Sequence, residues 1–198
     1  MNKQSERTAS VARQTCETKI ELTVSLDGNG KNEIQTGLGF LDHMLAALSR
    51  HSGIDLTLHC AGDLEVDDHH TVEDCALALG QAIDEALGKR VGIVRFGQAY
   101  APLDESLVRT VIDLSGRPGA WIVLPFRTDR LGAVATENLV HFFRSIATTM
   151  RATIHVDCIR SENDHHLAEA AFKSLAIALR MAIFRTGTAE VPSTKGVL

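Results

Sequence analysis

The strongest constraint on this 198-residue chain is an internal repeat. DDHHTVEDCALALGQAIDEAL at 67–87 and ENDHHLAEAAFKSLAIALRMA at 162–182 share an H-H-x-x-E frame followed by an apolar-periodic run. His69, His70 and Glu73 recur as His165, His166 and Glu169, each 96 residues further on, and His43 in LDHMLAAL is echoed 98 residues on by His141 in LVHFFRSIA. Two half-length copies of one unit account for this pattern, so the fold must be one that can be built twice.

Each copy has a readable local structure. Ile20, Leu22, Val24 and Leu26 alternate with polar neighbours, which predicts a half-buried strand, and Asp27-Gly28-Asn29-Gly30 reads as a hairpin-type turn after it. Leu41, Met44, Leu45 and Leu48 at helical spacing predict a helix over 40–51, followed by a short strand at 54–58. Val72, Cys75, Ala76, Leu79, Ile83 and Leu87 predict a second helix over 71–87. The second half repeats the order, with strands at 107–114 and near 121–125, a helix at 137–151, a strand at 153–157 and a helix at 166–184.

The expected fold class is therefore α+β: an internally duplicated two-layer unit, each half a mostly antiparallel sheet packed on two helices. Residues 1–12 read as a flexible tail, 13–92 as the first half and 93–198 as the second, together one compact domain. The boundary region at 89–105 is marked by Gly88, Gly92, Gly97 and Pro102.

Composition narrows the function classes. A 44% apolar content supports a sizeable core, and no 18-residue run escapes charge, so neither global disorder nor a transmembrane span is expected. The first fifteen residues lack the apolar stretch of a secretory signal. A net charge of −5 without a Lys/Arg cluster argues against nucleic acid as a partner. Cys16, Cys60, Cys75 and Cys158 form no C-x-x-C pair and read as core thiols of a cytoplasmic protein.

The paired histidines read as metal ligands. Positions i and i+4 share a helix face, so His69 with Glu73, and His165 with Glu169, can hold one ion each. His70 and His166 point about 100° away at ~3.6 residues per turn. Two metal positions, each drawing on more than one segment, resolve that geometry. His43, His69, His70, Glu73, His141, His165, His166 and Glu169 divide into two sets of three imidazoles and one carboxylate. A lone H-H-x-x-E would be no more than a polar helix start; its recurrence with a matching distant histidine points to metal. A carboxylate in each set and no thiolate tilts the choice away from soft ions. Asp67, Asp68, Asp74 and Asp164 are candidates to orient imidazoles, or simply acids at helix starts.

The repeat also informs where it breaks. Lys173 follows Glu169 by one turn, but its counterpart is Leu77. A cation on that stripe suits either an anion held beside the metal or an ordinary i,i+4 pair with Glu169. Arg95 in VRFG and Arg117 in SGRPG are further cations in turns, and Ser193, Thr194 and Lys195 beside Gly196 form a candidate phosphate cradle.

Together GFLDHML, DDHHTVED, RFG, APLDE, DLSGRP, HFFRS, ENDHHLAEAAFK and PSTKGVL resemble the imidazoleglycerol-phosphate dehydratases of histidine biosynthesis, in order and spacing, from about Glu17 to Leu198. Ser52 and Val140 depart from the family pattern without replacing a residue assigned to chemistry. The resemblance implies the monofunctional form and a hydro-lyase converting D-erythro-imidazole glycerol phosphate to imidazole acetol phosphate and water. It implies two Mn(2+) per chain on the eight His/Glu positions, with His43, Glu73 and Glu169 at the reacting centre and Glu17 acting at the reacting carbons. Arg95, Arg117, Lys173, Ser193, Thr194 and Lys195 are implied to hold substrate and its phosphate, within a 24-subunit shell whose sites are shared between chains. The hydrogen removed is not beside a carbonyl. The expected route is therefore a metal-bound imidazolate that expels the neighbouring hydroxyl to give a diazafulvene-like intermediate. A positioned carboxylate can then deprotonate the adjacent carbon. Two other classes compete: a two-metal phosphate-ester hydrolase, which would release phosphate, and a metal-storage assembly, which would bind metal without turnover.

Overall fold

The computed structural model describes residues 6–196 and Leu198. The first half runs β1 (Thr8–Gln14), β2 (Thr18–Ser25), β3 (Asn32–Gln35), α1 (Gly39–Ser52), β4 (Asp55–Gly62) and α2 (His69–Leu87). The second runs β5 (Phe96–Leu103), β6 (Ser106–Asp113), β7 (Gly119–Val123), then a small β8–β9 ribbon (Arg130–Leu131, Val134–Ala135). It closes with α3 (Thr136–Thr149), β10 (Thr153–Arg160) and α4 (Asp164–Ala182). The four-stranded sheets have matching orders, β1-β2-β4-β3 and β5-β6-β10-β7, each with two antiparallel ladders and one parallel. The expected duplicated α+β architecture is the one observed.

Each helix pair covers its own sheet, and the halves meet helix to helix, α1 on α4 and α2 on α3. The helices therefore form the middle layer between two sheets. Their apolar stripes merge into one core, in which Phe142, Phe143 and Phe172 pack ring to ring at 5.0–5.9 Å between centroids. Among the described residues no helix is long and apolar enough to cross a membrane.

Three local expectations are corrected. Part of the expected tail at 1–12 is strand: β1 pairs with β2 from Thr8↔Ser25 to Gln14↔Lys19, while residues 1–5 lie outside the described residues. As an edge strand β1 buries only Val11, so it carries little apolar signal. The 89–105 stretch likewise contains strand β5. Gly97 is there because an added Cβ would sit on the Ala178 carbonyl oxygen of α4, and Pro102 is tolerated because β5 is at the sheet edge. Finally, Asp27–Gly30 closes no hairpin, because β4 lies between β2 and β3. The turn wraps the start of β4 instead: Asp55 Oδ1 accepts the N–H groups of Asn29 and Lys31, both at 2.8 Å.

Candidate metal centre

The helix pairing across the halves decides how the histidines group. His69 and Glu73 on α2 meet His141 of α3, and His165 and Glu169 on α4 meet His43 of α1; within each triplet the ligand atoms lie within 4.8 Å of one another. Each triplet thus takes two residues from one half and one from the other. In the first, His69 Nε2 is 3.5 Å and His141 Nε2 3.1 Å from the Glu73 carboxylate, with the two rings stacked at 5.0 Å. In the second, His43 Nε2 is 3.2 Å and His165 Nε2 3.3 Å from Glu169 Oε2.

These residues fit a metal ion. Donors at ~2.1 Å from a common ion stand roughly 3.0–3.4 Å apart at ordinary coordination angles, close to the spacings seen. His141 Nε2 is buried without a hydrogen-bond partner, since it faces Glu73 at 3.1 Å but is not aligned to donate to it. An unsatisfied buried nitrogen costs about 1–3 kcal/mol unless something binds it.

His70 and His166 belong to neither triplet. His70 Nδ1 faces Asp63 at 3.0 Å and His166 Nδ1 faces Glu105 at 2.8 Å, which leaves each Nε2 directed elsewhere. Those carboxylates raise both imidazoles above the ordinary histidine value, while the hydrogen bond with His166 holds Glu105 down at about 2. Each chain therefore assembles three of the four expected ligands per site and presents the fourth separately. Asp63 and Glu105 went unnoticed in the sequence because they occupy non-equivalent places in the two copies. None of the acids singled out there is hydrogen-bonded directly to an imidazole ring among the described residues. Asp67 accepts the His69 N–H at 2.8 Å, Asp74 binds Arg13 at 2.8 Å, and Asp164 accepts from the Arg127 and Thr128 backbone at 2.8 and 2.7 Å. Asp68 acts at one remove, holding Asn138 at 2.9 Å, whose Oδ1 is 2.9 Å from His69 Nδ1.

Glu17 is half exposed, with Oε1 3.5 Å from His70 Nε2. Lys173 Nζ is 2.7 Å from Glu169 Oε1, so the i,i+4 pair is formed. Burial pushes the Glu169 carboxyl up, but hydrogen bonds from Lys173 and His43 outweigh it and hold the group at about 2. His51, at the end of α1, also senses this corner and went unremarked in the sequence. Its imidazole is pushed below the ordinary value by burial first and by Lys173 next. Arg95 grips Asp113 at 2.7 and 3.1 Å and the Pro192 carbonyl at 2.8 Å, and Arg117 reaches the same Asp113 at 4.0 Å. The C-terminal segment is thereby drawn beside both arginines. Ser193 Oγ accepts the Lys195 N–H at 3.2 Å and Thr194 lies in the same turn.

Fold and site define a class of duplicated α+β chains in which helices from opposite halves bring paired imidazole–carboxylate clusters together. The family model for imidazoleglycerol-phosphate dehydratase matches residues 36–179. The Phaffia rhodozyma imidazoleglycerol-phosphate dehydratase is 56% identical, covering 97% of this chain and 96% of its own; the Torulaspora delbrueckii protein of that name is 50% identical over 98% and 99%. Crystal structures of the Staphylococcus aureus and Pyrococcus furiosus dehydratases superpose with TM-scores of 0.82 and 0.83 at 36% and 38% identity. They cover 90% and 95% of this chain and 99% and 100% of their own. The chain belongs to the imidazoleglycerol-phosphate dehydratase family.

Proposed function

We propose that this chain removes water from D-erythro-imidazole glycerol phosphate to give imidazole acetol phosphate in histidine biosynthesis. Family membership makes it a hydro-lyase; the observation that supports the metal-dependent reading is the crossed pair of His/His/Glu triplets. His69, Glu73 and His141 would hold one divalent ion and His43, His165 and Glu169 the other, with Mn(2+) the assignment. His70 and His166, whose Nε2 atoms join neither triplet, would complete triplets of neighbouring copies in a 24-subunit shell. When bound, the ions would supply Lewis acidity to the substrate ring and so lower the cost of losing its N–H proton.

The chain's own residues do the rest. Glu17, 3.5 Å from His70 Nε2, would take the proton from the carbon beside the departing hydroxyl, leaving an enol that becomes the ketone. Asp63, Glu105 and Asn138 hold His70, His166 and His69 through Nδ1 and so fix which nitrogen each ring offers. Arg95, Arg117, Lys173, Ser193, Thr194 and Lys195 would bind the substrate phosphate, anchoring it away from the reacting carbons. The reading places the protein in the cytoplasm. Its test is direct: manganese-loaded protein incubated with imidazole glycerol phosphate should yield imidazole acetol phosphate with phosphate retained. Release of inorganic phosphate, or metal binding without turnover, would overturn it.

A further inference from the structure

The two triplets are near-copies in spacing, so a difference between them must come from their surroundings. The His–Glu separations are 3.1 and 3.5 Å in one and 3.2 and 3.3 Å in the other. His70 and His166 do not distinguish them either, because each is held through Nδ1 by a carboxylate. Two other positions break the repeat.

The first lies three residues before the histidine of α1 and of α3. Asn138 precedes His141, and its counterpart 98 residues earlier, Phe40, precedes His43. Both side chains reach a histidine of the other half, Asn138 at His69 and Phe40 at His165. What they offer differs. Asn138 Nδ2 donates to Asp68 Oδ2 at 2.9 Å, and Asp68 also accepts the Ala135 N–H at 2.8 Å and Arg130 at 3.2 Å. The amide is thereby fixed with its Oδ1 toward His69 Nδ1. A carbonyl oxygen only accepts, so the neutral His69 ring keeps its proton on Nδ1 and presents the Nε2 lone pair to the cluster. Phe40 meets the His165 ring edge to face at 5.3 Å between centroids, and a phenyl ring has no carbonyl to choose between the two nitrogens. Asp164, the counterpart of Asp68 96 residues on, turns its Oδ2 to the Arg127 and Thr128 backbone instead. Among the described residues no hydrogen bond fixes His165 Nδ1, and both tautomers of that ring stay open.

The second position is one turn after each glutamate. Lys173 Nζ is 2.7 Å from Glu169 Oε1, so that carboxylate already shares its charge with a cation that repels an arriving ion. Leu77 stands in the equivalent place, and the ion-pair partners of Glu73 among the described residues are the imidazoles of His69 and His141.

We propose that the two metal positions are unequal and fill in order: a divalent ion enters the His69/Glu73/His141 triplet first and the His43/His165/Glu169 triplet second. The proposal rests on the metal-dependent reading above. Asn138 is the positioning residue that strengthens the first triplet, and Lys173 is the group that weakens the second.

The test uses the full chain, stripped by a chelator and dialysed against rising manganese, with bound metal counted by elemental analysis. Crystals grown at one manganese per chain show by anomalous scattering which triplet is filled. The expected result is a first plateau at one ion per chain, with density at His69/Glu73/His141, and a second step at about tenfold higher manganese or more. Asn138→Ala should abolish the separate first step, and Lys173→Leu, which installs the residue of the first half, should move the second step to lower manganese. Equal density in both triplets at one ion per chain, density at His43/His165/Glu169 first, or variants that leave both steps in place would each overturn the order. Protein with no manganese in either triplet would instead overturn the metal reading itself, a result distinct from simultaneous or reversed filling.

Discussion

Asn138 touches His69 only through Nδ1, so shortening it tests ring orientation without deleting a ligand. Asn138→Ala should weaken divalent-ion binding about 10–100-fold while leaving the His43/His165/Glu169 triplet loaded, read by metal titration with elemental analysis. Deleting a ligand is harsher: His70→Ala and His166→Ala should each lower the metal content from two ions per chain, and retention of both ions in either variant would remove these histidines from the ligand set. Lys173 is a different case, because its ammonium is already held by Glu169 at 2.7 Å. If it also meets the substrate phosphate, Lys173→Leu should raise KM by about tenfold or more, the loss of one charge-assisted hydrogen bond. An unchanged KM would leave Lys173 as the partner of Glu169 alone.

Asp55 shows how one carboxylate sets the route between two strands. Burial opposes its charge, but the N–H groups of Asn29 and Lys31 hold its pKa below the ordinary 3.8. The stability it contributes is therefore present above that value and disappears as pH falls through the lowered one. Asp55→Asn should cost on the order of 1 kcal/mol in urea unfolding at neutral pH, and the gap to the unsubstituted protein should close as pH falls below the ordinary carboxylate value. Gly97→Val should cost more, about 1–3 kcal/mol, because the strand must move off the Ala178 carbonyl. The same elements explain what could be read beforehand. Helices α1 to α4 were legible to within about two residues because each buries a continuous stripe, as Leu41, Met44, Leu45 and Leu48 do in α1. Strands β1 and β5 were not, since edge strands need few apolar residues and β5 carries both Gly97 and Pro102. The members of the triplets were legible as a repeated motif. Their grouping was not, because it depends on α1 meeting α4 and α2 meeting α3, contacts that local periodicity does not encode.

If the triplets hold metal, then metal, protons and assembly should be coupled across the whole molecule. Each imidazole must be neutral to bind an ion, and the carboxylates beside His70 and His166 raise both above the ordinary 6.5. Protons should therefore begin to displace metal at a pH somewhat above 6.5, with the loss deepening as the remaining ligand histidines protonate. If those two histidines complete sites on neighbouring chains, acid or a chelator should convert a large particle into small oligomers. Manganese at neutral pH should then restore size and activity together, as followed by light scattering and assay on the same samples. A metal-free particle of unchanged size would show that other contacts hold the chains. The crossed triplets carry a further consequence for ancestry. Because each cluster joins the second helix of one half to the first helix of the other, a half-length chain already carries the parts of both. Two identical copies related by a twofold axis could have formed two identical clusters before any gene duplication. Fusion would then have kept both clusters while freeing the copies to diverge, as Lys173 and Leu77 have done.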